Sequence, residues 1–298
     1  MKSLLPILFG IFLPLMVFSQ DPLLKAVVVN GTCMVQRGAN PDEYLKADTG
    51  LLIYPHDKLI ITGKETYIGV VSMDGKVGEV SKSGVFSAES ISSTLVTGET
   101  VIADKYMGLL AEHLGESLGD AEQYTMYTGT VYRSSENSDI EIFLPLKTKI
   151  TQEPSTVEWK TKGLTGKYEV TISNLYDEVV FSQSTEEEYV SVDFSTVPMN
   201  PGQVYRILVQ NDSKKSQEIA LQIPTRSELA KFETDLHLLR NEVPENSAIG
   251  DMVFATYFEE NGLYLHAINA YQNAIKKEPY VKEYQRAYQL FLFKIGLQ

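Results

Sequence analysis

The sequence has very little of the residues from which disulfides, metal sites and many catalytic centres are built. It contains one cysteine, one tryptophan and four histidines among 298 residues. Because a single cysteine cannot form an intramolecular disulfide, the fold is not held together by disulfide bonds. The β-branched run Val27–Val29 precedes this cysteine, Cys33, so we expect a buried structural thiol rather than a reactive one.

Clusters of basic residues are missing as well. The chain carries 26 lysines and arginines against 39 aspartates and glutamates, which gives a formal net charge of −13. Binding to phosphate groups requires clustered cations, so this charge balance excludes a role in nucleic-acid binding and disfavours anionic lipid surfaces. The sequence therefore predicts no nucleic-acid partner.

Long apolar runs are absent except at the start of the chain. There an uncharged apolar stretch of about 15 residues is interrupted by Pro6 and Pro14, whereas a spanning helix needs roughly 20 residues. Val17 and Ser19 occupy the −3 and −1 positions of a signal-peptidase site. We predict a signal peptide over residues 1–19, hence an exported protein, periplasmic or extracellular, with no integral membrane segment after cleavage. An uncleaved anchor is the alternative.

Catalytic motifs are also lacking. His56, His113, His237 and His266 are scattered, and no His-Glu-x-x-His, Gly-x-Ser-x-Gly or phosphate-binding glycine loop occurs. A glycosidase needs two carboxylates about 5–10 Å apart across a cleft, so the adjacent acids Glu186–Glu188 are interpreted as solvated charge. The sequence predicts a protein that is not an enzyme and that has no cofactor and no metal.

The first part of the mature chain consists of strand patterns. Three short apolar runs bounded by turn residues are typical of strands; they are Val27–Val29, Leu59–Thr62 and Tyr67–Met73. Asn30-Gly31 and Asp74-Gly75 are turn signals, and the second predicts a tight hairpin because glycine tolerates positive φ. Apolar residues at helical spacing over 99–118 predict one amphipathic helix. Residues 20–139 are therefore predicted to form a β-rich domain with one helix.

Residues 45–97 of this segment resemble the FecR-type domain, a β-rich extracytoplasmic module. The matching residues are Asp57, Leu59, Thr62-Gly63, the run Tyr67–Met73 and Asp74-Gly75. His56 stands where the family usually has glycine, and one extra residue separates Asp57 from Thr62. In sensor members of the family this domain follows a transmembrane helix and reports to a transcription regulator. This chain has no second apolar span, so that role is not carried over.

Residues 140–224 show a second set of strand patterns. The alternation of Tyr168, Val170 and Ile172 places these side chains on one face, and seven short runs with regular turns predict a β-sandwich. The stretch Met199–Tyr205 resembles the tyrosine corner of immunoglobulin-like and fibronectin type III domains. That resemblance implies that the hydroxyl of its tyrosine bonds back to the chain. Trp159 is predicted to lie in the core, and a carbohydrate-stacking platform is the alternative.

The remaining residues, 225–298, have helical patterns. Thr225 and Glu228 form a capping-box signature at the start of the first helix. The segment 248–281 resembles a tetratricopeptide repeat, and the matching positions are Ala255, Phe258, Gly262, Ala267, Tyr271, Ala274 and Pro279. A stack of such repeats normally needs about three of them, so the flanking helices are expected to complete the core. In this family the first helix faces the partner, which implies possible partner-binding residues at Ile249, Met252, Thr256, Glu259 and Glu260.

Together these patterns predict a multidomain β and α protein. Its parts are a signal peptide (1–19), a FecR-like β-rich domain (20–139), an immunoglobulin-like β-sandwich (140–224) and a helical tetratricopeptide-like domain (225–298). The predicted function is that of an exported, non-catalytic interaction or scaffold protein of the cell envelope, which docks a protein partner. A carbohydrate-binding or carbohydrate-processing accessory protein is the alternative.

Overall fold

The computed structural model of the protein describes residues 21–74, 76–95, 105–106, 108–110, 139–244 and 246–297. The predicted signal peptide lies outside the described residues. So does most of the amphipathic helix predicted over residues 99–118, including His113. The described parts make a mixed β and α protein. Among the described helices, none combines the length and the apolar character needed to cross a membrane.

The described residues begin with a six-stranded antiparallel sheet, which we call the N-terminal sheet. Its strands are β1 (Leu24–Gln36), β2 (Tyr44–Lys46), β3 (Leu52–Ile53), β4 (Lys58–Ser72), β5 (Val77–Val80) and β6 (Gly84–Ser87). The helix α1 (Ala88–Thr94) follows β6. The order is β2-β1-β4-β5, with β3 paired to β1 and β6 paired to β4. The strands β4 and β5 pair antiparallel on either side of the predicted Asp74-Gly75 turn, of which Gly75 lies outside the described residues.

The two central strands are longer than the sequence predicts. The predicted turn at Asn30-Gly31 is wrong, because β1 continues through it with a shift in its pairing to β4. Gly31 takes φ 79° there, and a Cβ at this position would lie 2.8 Å from the hydroxyl of Thr66. The glycine therefore serves as a bulge inside a long strand rather than as the end of a short one.

Asp57 anchors the loop that enters β4. It is buried, and its carboxylate accepts hydrogen bonds from Arg37 Nη1 (2.6 Å) and from the N–H groups of Gly38 (2.9 Å) and Tyr54 (2.9 Å). His56, at the position where the FecR resemblance expects glycine, adopts φ 68°. A left-handed backbone at this position explains why glycine suits it.

Residues 139–222 form two facing sheets, which we call the sandwich. Its strands are β7 (Ile140–Ile142), β8 (Lys147–Lys149), β9 (Ser155–Thr161), β10 (Tyr168–Ser173), β11 (Val179–Thr185), β12 (Tyr189–Val192), β13 (Val204–Gln210) and β14 (Ile219–Gln222). One sheet has the order β11-β10-β13-β14-β8 and the other β12-β9-β7. Every pair is antiparallel except β14 with β8.

The interior of the sandwich confirms two sequence predictions. Trp159 is buried and packs edge-on against Tyr168 with ring centroids 5.7 Å apart, so it is a core residue. Tyr205 is buried as well, and its hydroxyl accepts a hydrogen bond from the N–H of Asn200 (2.9 Å). This return bond fixes the turn that leads into β13.

Four helices follow, which we call the helical end. They are α2 (Arg226–Glu242), α3 (Ala248–Glu260), α4 (Tyr264–Lys277) and α5 (Lys282–Lys294). The predicted capping box at the start of α2 is present, with Thr225 and Glu228 each bonded to the other's backbone. Gly262 takes φ 71° between α3 and α4, which allows the sharp reversal of a helical hairpin.

Two hydrophobic cores lie within this architecture. The larger one runs without interruption from the sandwich into the helical end, and it also includes Val28, Tyr67 and Val77 of the N-terminal sheet. The smaller one lies within the N-terminal sheet and contains Cys33. Cys33 is buried, as predicted, and burial raises the pKa of its thiol to about 11. The change from strands to helices near residue 225 therefore occurs inside one core.

The contact between sandwich and helical end, the sandwich junction, combines neutral polar side chains of α4 with two ion pairs to α2, Lys149–Glu228 (3.4 Å) and Arg240–Glu153 (2.5 Å). The amide of Asn269 accepts the N–H of Thr156 (2.6 Å) and donates to its carbonyl (2.9 Å). The strand β7 pairs only with the far end of β9, around Trp159. Asn269 therefore takes the place of a neighbouring strand along the uncovered stretch of β9.

The contact between N-terminal sheet and helical end, the sheet junction, contains ionisable groups. A carboxylate oxygen of Glu79 on β5 accepts the hydroxyl of Tyr67 (2.7 Å) and the N–H of Ile249 (3.1 Å). The hydroxyls of Tyr67 and Tyr284 lie 2.7 Å apart. The charge of Glu79 acts on Asp251 and raises its pKa, and the carboxylate of Asp251 forms an ion pair with Lys277 (2.6 Å). This junction therefore brings tyrosine hydroxyls together with carboxylates of β5 and α3.

Candidate functional site

The partner-binding residues implied by the tetratricopeptide resemblance are mostly buried. Ile249, Met252 and Thr256 have no exposed surface, Glu259 is half-buried and accepts the hydroxyl of Tyr271 (2.8 Å), and only Glu260 is exposed. The first three residues are therefore not available to a partner in this structure, which corrects that part of the sequence interpretation.

The reason is that α3 lies between the other parts of the molecule. Ile249 packs over Gly69 of β4, where a Cβ would lie only 2.9 Å from Cδ1 of the isoleucine. Further along the helix, Tyr257 makes edge-on contact with Phe232 of α2. A helix covered on these sides leaves Glu260, at its C-terminal end, as its exposed residue.

One serine–histidine pair in the described residues has the distance of a catalytic dyad. Ser155 Oγ lies 2.6 Å from Nδ1 of His266. The other ring nitrogen, Nε2, accepts the N–H of Thr151 (3.1 Å), so the proton resides on Nδ1 and is donated to the serine. No lone pair remains to activate the hydroxyl. Burial lowers the pKa of His266 to about 3, which keeps the ring neutral and in a structural role.

Metal chemistry finds no support in the part of the chain that is described. Among those residues, no three His, Cys, Asp or Glu side chains converge in an arrangement that could hold an ion. The burial of Trp159 also removes it as a platform for carbohydrate stacking.

The loop between β10 and β11, residues 174–178, carries two neighbouring exposed apolar side chains, and one of them, Tyr176, is the most exposed large hydrophobic residue in the described part of the chain. Tyr176 is 85% exposed and Leu175 is 62% exposed. We call this segment the apolar loop. Polar residues are the norm at such a turn, so the two exposed apolar side chains make this loop a candidate contact surface.

The apolar loop is held rigidly by the side chain that precedes its tip. Asn174 Oδ1 accepts the N–H groups of Tyr176 (2.9 Å) and Glu178 (3.1 Å), which forms an Asx turn. The amide of Asn174 also donates to the carboxylate of Glu178 (2.7 Å). Asp177 completes the reversal with φ 64°, a conformation that aspartate tolerates better than most residues.

A second fixing point comes from the neighbouring strand β13. Arg206 Nη2 donates to the carbonyl of Asn174 (3.1 Å) and to the carboxylate of Asp177 (2.7 Å). Its other terminal nitrogen, Nη1, donates to Glu218 (3.1 Å). The guanidinium group therefore joins the apolar loop to two strands of the sheet, so Leu175 and Tyr176 stand on a preorganised support.

The electrostatic surroundings of the tip are acidic. Asp177 and Glu178 follow the two apolar residues directly, and Glu218 lies next to them through Arg206. The apolar tip is therefore surrounded by the carboxylates of Asp177, Glu178 and Glu218, which we call the acidic collar. A complementary surface would present an apolar pocket with a basic rim.

Two clefts lie elsewhere on the described surface. One of about 370 Å³ lies between α2 and the loop after β8, and the ion pair between Arg240 and Glu153 (2.5 Å) lies in its wall. The other, of about 450 Å³, is an open groove between α4 and α5 with Ile275, Tyr288 and Leu292 among its lining residues. In the first cleft the hydroxyl of Thr151 lies 3.3 Å from Nε2 of His266 and accepts the N–H of Glu153 (3.3 Å), so it is engaged within the protein.

Comparison with known proteins adds little to this geometry. The sequence matches no protein-family model, and no curated protein matches it significantly. The FecR-type and tetratricopeptide resemblances therefore stay predictions.

Solved structures give fibronectin type III-like neighbours. The chain is similar to the FN5 domain of Drosophila Lar (18% identity, 29% of this chain, 92% of that domain, TM-score 0.21). It is also similar to the fn3 domain of human collagen alpha-1(XX) chain (20% identity, 31% and 94%, TM-score 0.21). Against the BSP domain of a biofilm associated protein the identity is 9%, over 66% of this chain and 25% of that one, with a TM-score of 0.21. These scores are low, so the sandwich is argued from its own strand order alone.

Sequence reasoning missed the apolar loop, although a signal was present. The run Asn174-Leu175-Tyr176-Asp177-Glu178 lies between two strand patterns and begins and ends with turn-forming or acidic residues. Two large apolar residues in the middle of such a turn contradict the expected polarity. That contradiction identifies the loop without any structure.

Proposed function

We propose that this protein is an exported, non-catalytic interaction protein that docks a protein partner through the apolar loop. The observation that carries the proposal is the pair of exposed side chains Leu175 and Tyr176 on a loop fixed by Asn174 and Arg206. Export rests on the signal-peptide pattern over residues 1–19. A FecR-like origin of the N-terminal sheet and a tetratricopeptide-like origin of the helical end belong to the same proposal.

Preorganisation is the physical reason for this choice of surface. A flexible loop loses conformational entropy when it binds, whereas a loop already held by hydrogen bonds loses little. Tyrosine buries a large area at a low entropic cost and is enriched among residues that dominate binding energy. The apolar loop combines both properties.

The carboxylates of the acidic collar around the tip support a partner surface with basic residues. Asp177 and Glu178 repel the headgroups of anionic lipids, and the whole chain is strongly acidic. A protein surface with an apolar pocket surrounded by lysine or arginine fits the tip better. The helical end then acts as a structural support that extends the sandwich core rather than as the docking module.

The test is capture of the partner from a native envelope extract by the full-length mature protein. The double variant Leu175→Ser/Tyr176→Ser should lose capture by about tenfold or more, because a central aromatic anchor is removed. Leu146→Ser is the matched control, since Leu146 is also exposed (44%) and lies in the same sandwich. Equal capture by the wild type and the double variant, with normal melting temperatures, would reject the apolar loop as the docking site.

A further inference from the structure

The strand β11, Val179–Thr185, is an edge of the five-stranded sheet. In the described structure its only strand partner is β10. In an antiparallel ladder, alternate residues of an edge strand direct their N–H and C=O groups away from the sheet. One whole side of β11 therefore offers backbone hydrogen-bonding groups to solvent. Edges of this kind are templates for the addition of another strand.

The composition of β11 leaves this edge open to pairing with another strand. The seven residues Val-Val-Phe-Ser-Gln-Ser-Thr include no charge, no proline and no glycine. Natural edge strands are usually protected by one of these, most often by a charged side chain. The one irregularity is the extra residue Val180, where the pairing with β10 shifts. It lies at the start of the strand, so the regular stretch from Phe181 to Thr185 is left intact.

Acidic residues flank the uncharged strand on both sides. Asp177 and Glu178 precede it and Glu186–Glu188 follow it, and all five are exposed. In a twofold antiparallel pairing of two copies centred on Ser182, Glu178 would lie opposite Glu186 and Asp177 opposite Glu187. Like charges directly opposite each other destabilise strand pairing. The pattern therefore disfavours a second copy of this chain as the occupant.

We propose that the free edge of β11 accepts an extended segment of the partner protein, uncharged and β-branched in its middle and carrying lysine or arginine at both ends. Main-chain hydrogen bonds to β11 would supply the contact, and the basic ends would meet the acidic flanks. This inference rests on the proposed function and adds a second contact beside the apolar loop, which adjoins the start of β11.

The first experiment uses a defined probe, the peptide Lys-Lys-Val-Thr-Val-Thr-Val-Lys-Lys, with the full-length mature protein. Hydrogen exchange should slow at the amides of β11 when this peptide is added. A peptide with glutamate in place of all four lysines should bind at least about tenfold more weakly. Equal protection by the two peptides, or no protection by either, would overturn the proposal.

Charge exchange gives a stricter control. The variant Glu186→Lys/Glu187→Lys should reduce binding of the lysine-ended peptide and improve binding of the glutamate-ended one. Glu188 is left in place because its carboxylate accepts a hydrogen bond from Thr161. A preference for lysine ends that is unchanged in this variant would contradict the assigned role of the acidic flanks.

Proline substitution tests whether the backbone of the edge makes the contact. Because adjacent residues alternate in the direction of their N–H groups, one of Gln183→Pro and Ser184→Pro removes a bond to β10 and the other only blocks the free side. The substitution that leaves the melting temperature nearly unchanged should abolish peptide protection. Full protection in that variant would overturn the proposal.

The outcome for the edge is separable from the outcome for the apolar loop. Failure of the peptide to bind, together with partner capture that still depends on Leu175 and Tyr176, would reject the edge and leave the proposed function standing. Self-association of the wild type that is lost in the edge-blocking proline variant would assign the edge to a second copy and overturn the proposal. A monomeric wild type whose Glu186→Gln/Glu187→Gln variant dimerises would support it.

Discussion

The helix α3 and the apolar loop contain similar side chains and use them in opposite ways. The helix places Ile249, Met252 and Tyr257 entirely inside the protein, whereas the loop leaves Leu175 and Tyr176 in water. Apolar residues on a helix packed between the N-terminal sheet and α2 stabilise the fold, and the same residues on a fixed turn are free to stabilise a complex. Substitutions in the two regions should therefore separate stability from binding.

The largest loss of stability is expected inside α3. Met252→Ala would remove a fully buried side chain and leave a cavity, so the free energy of unfolding should fall by about 2–5 kcal/mol. Glu260→Ala, at the exposed end of the same helix, is the control and should change stability by less than about 0.5 kcal/mol. Denaturant titration measures both. Similar midpoints for the two variants would contradict the buried position of α3.

Acid should weaken the sandwich junction through His266. The pKa of this group is about 3 in the folded state, below its ordinary value of 6.5, because burial disfavours the charged ring. Its contribution to stability is therefore complete above pH 6.5 and is lost as the pH falls, by about 1.4 kcal/mol per unit. Unfolding measured from pH 7 to pH 4 should show a shallower acid loss for His266→Gln than for the wild type. Parallel curves would contradict this role.

Loss of the bidentate contact of Asn269 should lower the free energy of unfolding by less than the acid effect at His266 does. Asn269→Ala leaves the N–H and the carbonyl of Thr156 without their partner, which should cost about 1–3 kcal/mol. Asn273→Ala is the matched control, because Asn273 is exposed on the same helix. Hydrogen exchange at Thr156 should accelerate only in the first variant, and equal rates in both would exclude the strand-like role.

The smallest effect is expected at the sheet junction, where pH acts in the opposite direction. Burial raises the pKa of Asp251 above its ordinary value of 3.8, against the opposing effect of Lys277. A raised pKa means that stability is greatest at low pH and declines as the carboxyl ionises. Asp251→Asn should therefore gain stability relative to the wild type as the pH rises from 4 to 7. The positive charge of Lys277, which favours the ionised carboxyl, keeps this gain small. A gain that appears on acidification would contradict the assignment.

Much of the sandwich was predictable because its strands face two environments. The alternation of Tyr168, Val170 and Ile172 and the position of Tyr205 are direct consequences of one buried and one exposed face. The surroundings of α3 were harder to predict. Local spacing identifies this segment as a helix, but it does not identify the elements that pack against it. Its apolar residues occur almost all round, a pattern typical of a helix buried on several sides.

The candidate site was beyond local reasoning for a different physical reason. The rigidity of the apolar loop depends on Arg206, which is 29 residues from its ion-pair partner Asp177. Such pairing is a product of the sheet order β11-β10-β13, which short-range patterns do not determine. Only the presence of two large apolar residues, Leu175 and Tyr176, at a turn between strands could be recognised from the sequence.

The comparison between helix and loop is tested most directly by photo-cross-linking from two positions of the full-length mature protein. A photoreactive residue would replace either Tyr176 in the apolar loop or Glu260, the exposed residue of α3. The protein would then be illuminated in the native envelope extract. We predict a specific cross-linked species from position 176 that disappears when Leu175→Ser is added, and none from position 260. A partner cross-linked from position 260 alone would contradict the account and return docking to the helical end.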